Sequence, residues 1–97
     1  MSTASQPAEV ELSVVVVAWN AVAYLGACLD AARGAGRELV VVDNASRDGT
    51  AALVREHHPD VRLLVNDANL GFARAANRGL HEARGRYVLF LNPDALV

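Results

Sequence analysis

Four short apolar runs limit what this chain can fold into. Leu12–Ala18 is continuous and mostly β-branched, and Leu39–Val42, Arg62–Asn66 and Tyr87–Leu91 repeat it at shorter length. Such runs are what strands look like when a sheet is covered on both faces. Segments of helical length separate them. Val22–Ala32 sets Val22, Leu25, Leu29 and Ala32 at helical spacing, with Asn20 as N-cap and Gly34 and Gly36 as the stop. Asp48 caps a second helix through His58, closed by Pro59. Gly71–Arg84 carries Phe72, Ala75, Ala76, Gly79, Leu80 and Ala83 on one face and ends at Gly85. The order is β-α-β-α-β-α-β. Crossovers of this length predict parallel strands, right-handed connections and a Rossmann-like α/β sheet.

Composition narrows the chemistry. The 97 residues suit one small domain, with 1–10 expected as a flexible tail and 11–97 as the folded portion. A hydrophobic content of 53% against 21% charged residues excludes a disordered chain. The formal charge of −2 argues against a nucleic-acid partner. Cys28 is the single cysteine, which excludes a disulfide framework and a cysteine-based zinc site. All nine basic residues are arginine, so the Walker-type phosphate loop, Schiff-base chemistry and a lysine general base are excluded. The start is polar without a signal-peptide pattern, and the longest apolar run stops at Asn20, far short of a membrane span. The expected location is the cytoplasm.

Ligands of open parallel sheets bind outside the carboxyl ends of the strands. Here those ends carry Trp19-Asn20, Asp43-Asn44-Ala45-Ser46, Asn66-Asp67 with Asn69, and Asn92-Pro93-Asp94. The amino ends carry Glu11, Arg37, Glu38 and Arg86, read as ordinary surface charges. Loop and capping preferences account for Asn66, Asp67 and Asp48. They account poorly for Asp43, a carboxylate directly after Val40-Val41-Val42. No glycine follows the first strand, so a dinucleotide fingerprint is absent, and Ser46 lacks a nucleophile-elbow context. His57 and His58 are read as surface residues at a helix end, not metal ligands. In Asn92-Pro93-Asp94 the proline holds its predecessor extended, so the Asn92 carbonyl and the Asp94 carboxylate can converge on a hard divalent cation. The same spacing equally fits an ordinary turn.

Together, Ser13–Asn20 (SVVVVAWN), Val40–Thr50 (VVVDNASRDGT), Asn69–Gly79 (NLGFARAANRG) and Leu89–Asp94 (LFLNPD) resemble the nucleotide-binding half of family 2 glycosyltransferases, which have the GT-A fold. The third and fourth segments look most like the rhamnosyltransferase-like branch. The resemblance implies transfer of a sugar from a UDP- or dTDP-sugar to a glycan or lipid-linked acceptor, as in cell-wall polysaccharide biosynthesis. It implies that Ala18, Trp19 and Asn20 line the base and ribose pocket and that Asp43 hydrogen-bonds the pyrimidine. Asn44, Ser46, Gly71, Asn77 and Asn92 complete the implied donor-binding set. Asp94 matches the last acid of the D-x-D motif, holding Mg²⁺ or Mn²⁺ on the diphosphate. Trp19 either stacks on a sugar or base or covers the sheet edge.

The chain departs from the family pattern in named places. Asn92 replaces the first acid of D-x-D, and Asn44 replaces the second acid of a frequent Asp-Asp pair. Ala75-Ala76-Asn77 lacks the arginine of a frequent Ala-Arg-Asn triplet, and Arg74 and Arg78 are read as a solvated helix face. No residue matches the general base of an inverting transfer, and the sequence ends on Ala95-Leu96-Val97. The expectation is therefore a donor-binding portion, truncated after its metal ligand and inactive alone. A complete enzyme would work in the cytoplasm or at the inner membrane face. The alternatives are a non-catalytic nucleotide-binding or interaction module and a truncated gene product without activity.

Overall fold

The computed structural model describes residues 10–93. Its elements follow the predicted order: β1 (Leu12–Ala18), α1 (Leu25–Ala32), β2 (Arg37–Asp43), α2 (Thr50–His57), β3 (Arg62–Val65), α3 (Phe72–Glu82) and β4 (Tyr87–Leu91). The four strands form one parallel sheet in the order β3-β2-β1-β4. The chain steps outward from β1 to β3, then returns to lay β4 on the other side of β1. This is a Rossmann-like β-α-β-α-β-α-β fold, as the N-terminal nucleotide-binding portion of a GT-A domain has.

The valine runs of β1 and β2 are apolar throughout because both faces are covered. Alternate residues of a strand face opposite sides. Val14, Val16, Ala18, Leu39 and Val41 pack with Leu25, Cys28, Leu29 and Ala32 of α1 and Val54 of α2. Val15, Val40 and Val42 pack on the other face against Ala75 of α3. That contact is close because α3 meets the sheet through small residues. A Cβ at Gly79 would overlap Val15 Cγ1 and lie 3.1 Å from Val42 Cγ2. A helix seated this low leaves no depth for its larger flanking side chains. Phe72 and Leu80, expected on its buried face, are therefore 58% and 45% exposed.

Other local expectations give way to tertiary bonds. Asn20 does not cap α1. It has a positive φ, its Oδ1 accepts a hydrogen bond from Arg47 N at 2.8 Å, and the helix begins only at Leu25. Glu38 is not a surface charge but buried, accepting hydrogen bonds from Ser13 Oγ (2.6 Å), Arg84 N (2.8 Å) and Arg84 Nε (3.1 Å). Desolvation pushes its carboxyl up, but the bonds from Ser13 and Arg84 and the Arg84 charge outweigh that and hold it below its ordinary value. Gly85 does more than end a helix. A Cβ there would come within 2.6 Å of Ser13 N, and Gly85 N donates to Ser13 Oγ. His58 is likewise buried, its Nδ1 lying 2.6 Å from Arg33 Nη2. Arg78 is no free cation, since it donates to Val65 O and Asn66 Oδ1.

Candidate functional site

The carboxyl ends of β1, β2 and β3 open into a cleft of about 750 Å³. Trp19 and Asn20 enter it after β1, Asp43 closes β2 at its floor, and Asn66, Asp67 and Asn69 follow β3. Parallel strands bring these ends together by register, with Ala18 opposite Asp43 and Asp43 opposite Val65.

A chain of hydrogen bonds fixes the floor. Ser46 donates to Asp43 from its hydroxyl to Oδ1 and from its backbone N–H to Oδ2 (3.2 Å). The same hydroxyl accepts from Asn20 N at 2.8 Å, which ties the β1 loop to the β2 loop. Asp43 is 1% exposed, yet each of its oxygens keeps a lone pair beyond its Ser46 bond. It is thus a pre-oriented acceptor. Trp19, 56% exposed, offers an open ring beside it.

The loops are clasped a second time through Asp48. Its Oδ1 accepts from the Thr50 N–H (3.1 Å) and hydroxyl, so Asp48 holds the first turn of α2 from one residue outside the N-cap, which is Gly49 and not Asp48 as expected. Its Oδ2 accepts from Val22 N (3.1 Å), while Thr50 Oγ1 accepts from Ala21 N (3.0 Å). Desolvation raises the Asp48 carboxyl, but the bonds from Thr50 and Val22 overcome it and leave it below its ordinary value. The peptide groups that Asn20 was expected to cap are satisfied from the neighbouring loop.

Of the residues singled out from sequence, Trp19, Asn20, Asp43 and Ser46 line the cleft. Ala18 is buried behind it, its carbonyl accepting from Asn44 N at 2.8 Å. Asn44 is also buried, its side chain spanning Asn66 Nδ2, Leu70 N and the Gly71 carbonyl. Asn44 thus sets the approach to α3 at Gly71 from beneath the cleft. Asn77 is exposed on α3 and Asn92 is exposed just beyond β4; neither is among the cleft-lining residues. The Asn92 backbone carbonyl accepts from Cys28 Sγ at 3.6 Å. Asp94 lies outside the described residues. Among those described, no group of three or more His, Cys, Asp and Glu side chains forms a cation site. The oxygen donors of an Asn and an Asp fit a hard cation such as Mg²⁺ or Mn²⁺.

Sequence reasoning missed Arg47 and Arg55, which put two guanidinium groups on the cleft wall. Only Arg55 carried a spacing signal, i, i+4 from Ala51 on α2, since both line the cleft. Arg47 moreover falls inside the Val40–Thr50 segment.

The cleft lies in a chain whose residues 13–97 match the family model "Glycosyl transferase family 2". The chain belongs to that family. It is 37% identical over 91 residues to the succinoglycan biosynthesis protein ExoO of Rhizobium meliloti (strain 1021), covering 90% of this chain and 26% of that protein. It is 38% identical over 88 residues to a PGL/p-HBAD biosynthesis glycosyltransferase of Mycobacterium tuberculosis (strain ATCC 25177 / H37Ra), covering 84% and 34%. The crystal structure of S. aureus TarS 1-349 in complex with UDP superposes with a TM-score of 0.77 at 27% identity, covering 87% of this chain and 27% of that one. The chain therefore spans about a quarter to a third of the length of these relatives. No helix among the described residues is long and apolar enough to cross a membrane.

Proposed function

We propose that the cleft holds the nucleotide of a nucleotide-diphosphate sugar and that residues 11–97 are the donor-binding portion of a glycosyltransferase. The observation that carries this reading is Asp43, a buried carboxylate oriented by Ser46 at the cleft floor in a family 2 chain. A carboxylate that only accepts hydrogen bonds selects a base edge presenting an N–H, as the ring imide of uracil and thymine does. This favours a UDP- or dTDP-sugar. Trp19 and Asn20 flank the base and ribose, and the exposed indole stacks on an aromatic or sugar face. Arg47 and Arg55 supply positive charge for the phosphates. Ala18 and Asn44 support the floor, while Gly71, Asn77 and Asn92 belong to the outer part of the donor site.

Asp94, with the Asn92 amide oxygen, would hold Mg²⁺ or Mn²⁺, which neutralises charge gathering on the leaving nucleoside diphosphate. With a neutral amide in place of an acid, metal affinity is reduced. The transfer is of the inverting kind, to a glycan or lipid-linked acceptor, in the cytoplasm or at the inner membrane face. The third and fourth family segments favour the rhamnosyltransferase-like branch. We assign none of the described side chains the role of general base and infer that residues 11–97 bind donor without transferring sugar. Calorimetric titration with UDP and dTDP, with and without Mn²⁺, tests the reading. Binding strengthened by Mn²⁺, with the Mn²⁺ effect lost in Asp94→Ala, is expected. An Mn²⁺ effect unchanged in Asp94→Ala would remove the metal assignment, and absence of binding at millimolar ligand would remove the donor site.

A further inference from the structure

The end of β3 sets an open apolar side chain beside the buried Asp43 carboxylate. Asp43 and Val65 are register partners in the parallel β2–β3 ladder. Two residues earlier the partners are Val41 and Leu63, which meet in the core beneath α1 and α2. Alternate residues of a strand share a face, so Asp43 and Val65 stand side by side on that same face, at its open end. Neighbouring strands lie about 4.8 Å apart. Yet Asp43 is 1% exposed and Val65 is 38% exposed. A buried carboxylate with an exposed valine as its neighbour inverts the usual order of burial. Both line the cleft, and Ala45, Ala51 and Ala68 are further apolar members of its lining.

The shape of a pyrimidine decides which ligand atom meets that valine. In the proposed donor complex the N3–H of the base lies on Asp43, and the ribose lies by Trp19 and Asn20 of the β1 loop. β2 sits between β1 and β3 in the sheet. In a pyrimidine ring the glycosidic N1 and the C5 carbon fall on opposite sides of the axis through N3 and C6. With N3 at β2 and N1 toward β1, C5 points toward β3, where Val65 stands. Uracil carries a hydrogen at that carbon and thymine a methyl group. Apolar contact is how a protein reads the thymine methyl. Burying one group of that size is worth about a fourfold gain in affinity.

We propose that Val65 is a specificity-determining residue of the cleft, which packs on the C5 methyl group of thymine and selects a thymine nucleotide over its uracil counterpart. The proposal rests on the donor reading and adds to it which of the two pyrimidines the cleft prefers. Asp43 accepts the imide proton that both bases share, and Val65 tells them apart.

The test is calorimetric titration of the chain with dTDP and with dUDP, which differ only in the C5 methyl group. The parent should bind dTDP about fourfold more tightly. Val65→Thr keeps the branched shape and strand preference of valine but sets a hydroxyl where the methyl would pack. It should bring the two affinities within about twofold of each other. Val65→Ala removes the contact without adding a polar group and should narrow the ratio in the same way. Asp43→Asn should weaken both nucleotides and preserve their ratio. Equal affinities in the parent, or a preference for dTDP that survives both Val65 variants, would overturn the proposal. If Asp43→Asn still weakens binding in that case, the donor reading stands without it. Absence of binding by either nucleotide at millimolar concentration would overturn both.

Discussion

Replacing Asn44 by alanine should destabilise the chain by about 2–5 kcal/mol. The magnitude follows from what the side chain spans. Its Oδ1 accepts from Asn66 Nδ2 and Leu70 N, both at 3.0 Å, and its Nδ2 donates to the Gly71 carbonyl at 3.2 Å. Asn66 is 5% exposed, so its orphaned amide bears a full desolvation cost of roughly 1–3 kcal/mol. Leu70 and Gly71 are exposed and regain water, so each lost bond there costs only about 0.5–1 kcal/mol. Asn44→Asp keeps an acceptor for Asn66 and Leu70 but loses the donor to Gly71, sets a carboxylate oxygen against that carbonyl and buries a charge, so it should cost roughly 1–3 kcal/mol. Asn69→Ala is the control. It removes one exposed bond to Gly71 N and should cost under about 1 kcal/mol. Urea denaturation reads the series as a falling midpoint at constant slope. Asn44→Ala within about 0.5 kcal/mol of the parent, or no more costly than Asn69→Ala, would refute the reasoning.

Gly79→Ala forces a methyl group against Val15 and Val42. Overpacking costs roughly 1–3 kcal/mol and exceeds the gain of up to about 1 kcal/mol in helix propensity, so the midpoint should fall; a rise would show that α3 has room to lift. Glu38 gives stability a pH dependence of defined sign. Its folded carboxyl titrates below the ordinary value of 4.5, so its contribution is complete above that value and is lost as pH falls through the folded one. Glu38→Gln should therefore be less stable than the parent at pH 7, with the gap narrowing toward pH 3; a pH-independent gap in the denaturation midpoints would contradict this. Arg78→Ala removes the bonds to Val65 O and Asn66 Oδ1. A loss of about 1–2 kcal/mol is expected by the same assay, and an unchanged midpoint would return Arg78 to a solvated surface role.

The strands were readable because the relevant signal is local. An uninterrupted apolar run between turn residues has few other destinations than a covered sheet, and all four runs became strands. What the sequence concealed depends on partners far along the chain. Glu38 looked like a surface charge because Ser13 is distant in sequence and becomes its neighbour only through the β1–β2 register. Asn20 carries a capping side chain, but the Arg47 N–H claims it. The cleft was legible where a polar residue directly ends a strand, as at Trp19-Asn20 and Asp43. Arg47 and Arg55 escaped because they come from a loop and a helix, and only folding turns them toward the strand ends.

The central claim is that Asp43 receives the base of a pyrimidine nucleotide. Titrating the chain and its Asp43→Asn variant with UDP tests it most directly, with ¹⁵N amide shifts showing where ligand binds. Losing the charge and one of the two acceptor oxygens, each of which takes a bond from Ser46, should weaken binding by at least about tenfold, with the parent's shifts centred on Trp19, Asn20, Ser46 and Arg47. Equal affinity of the two proteins for UDP, or shifts lying away from this cleft, would contradict the account.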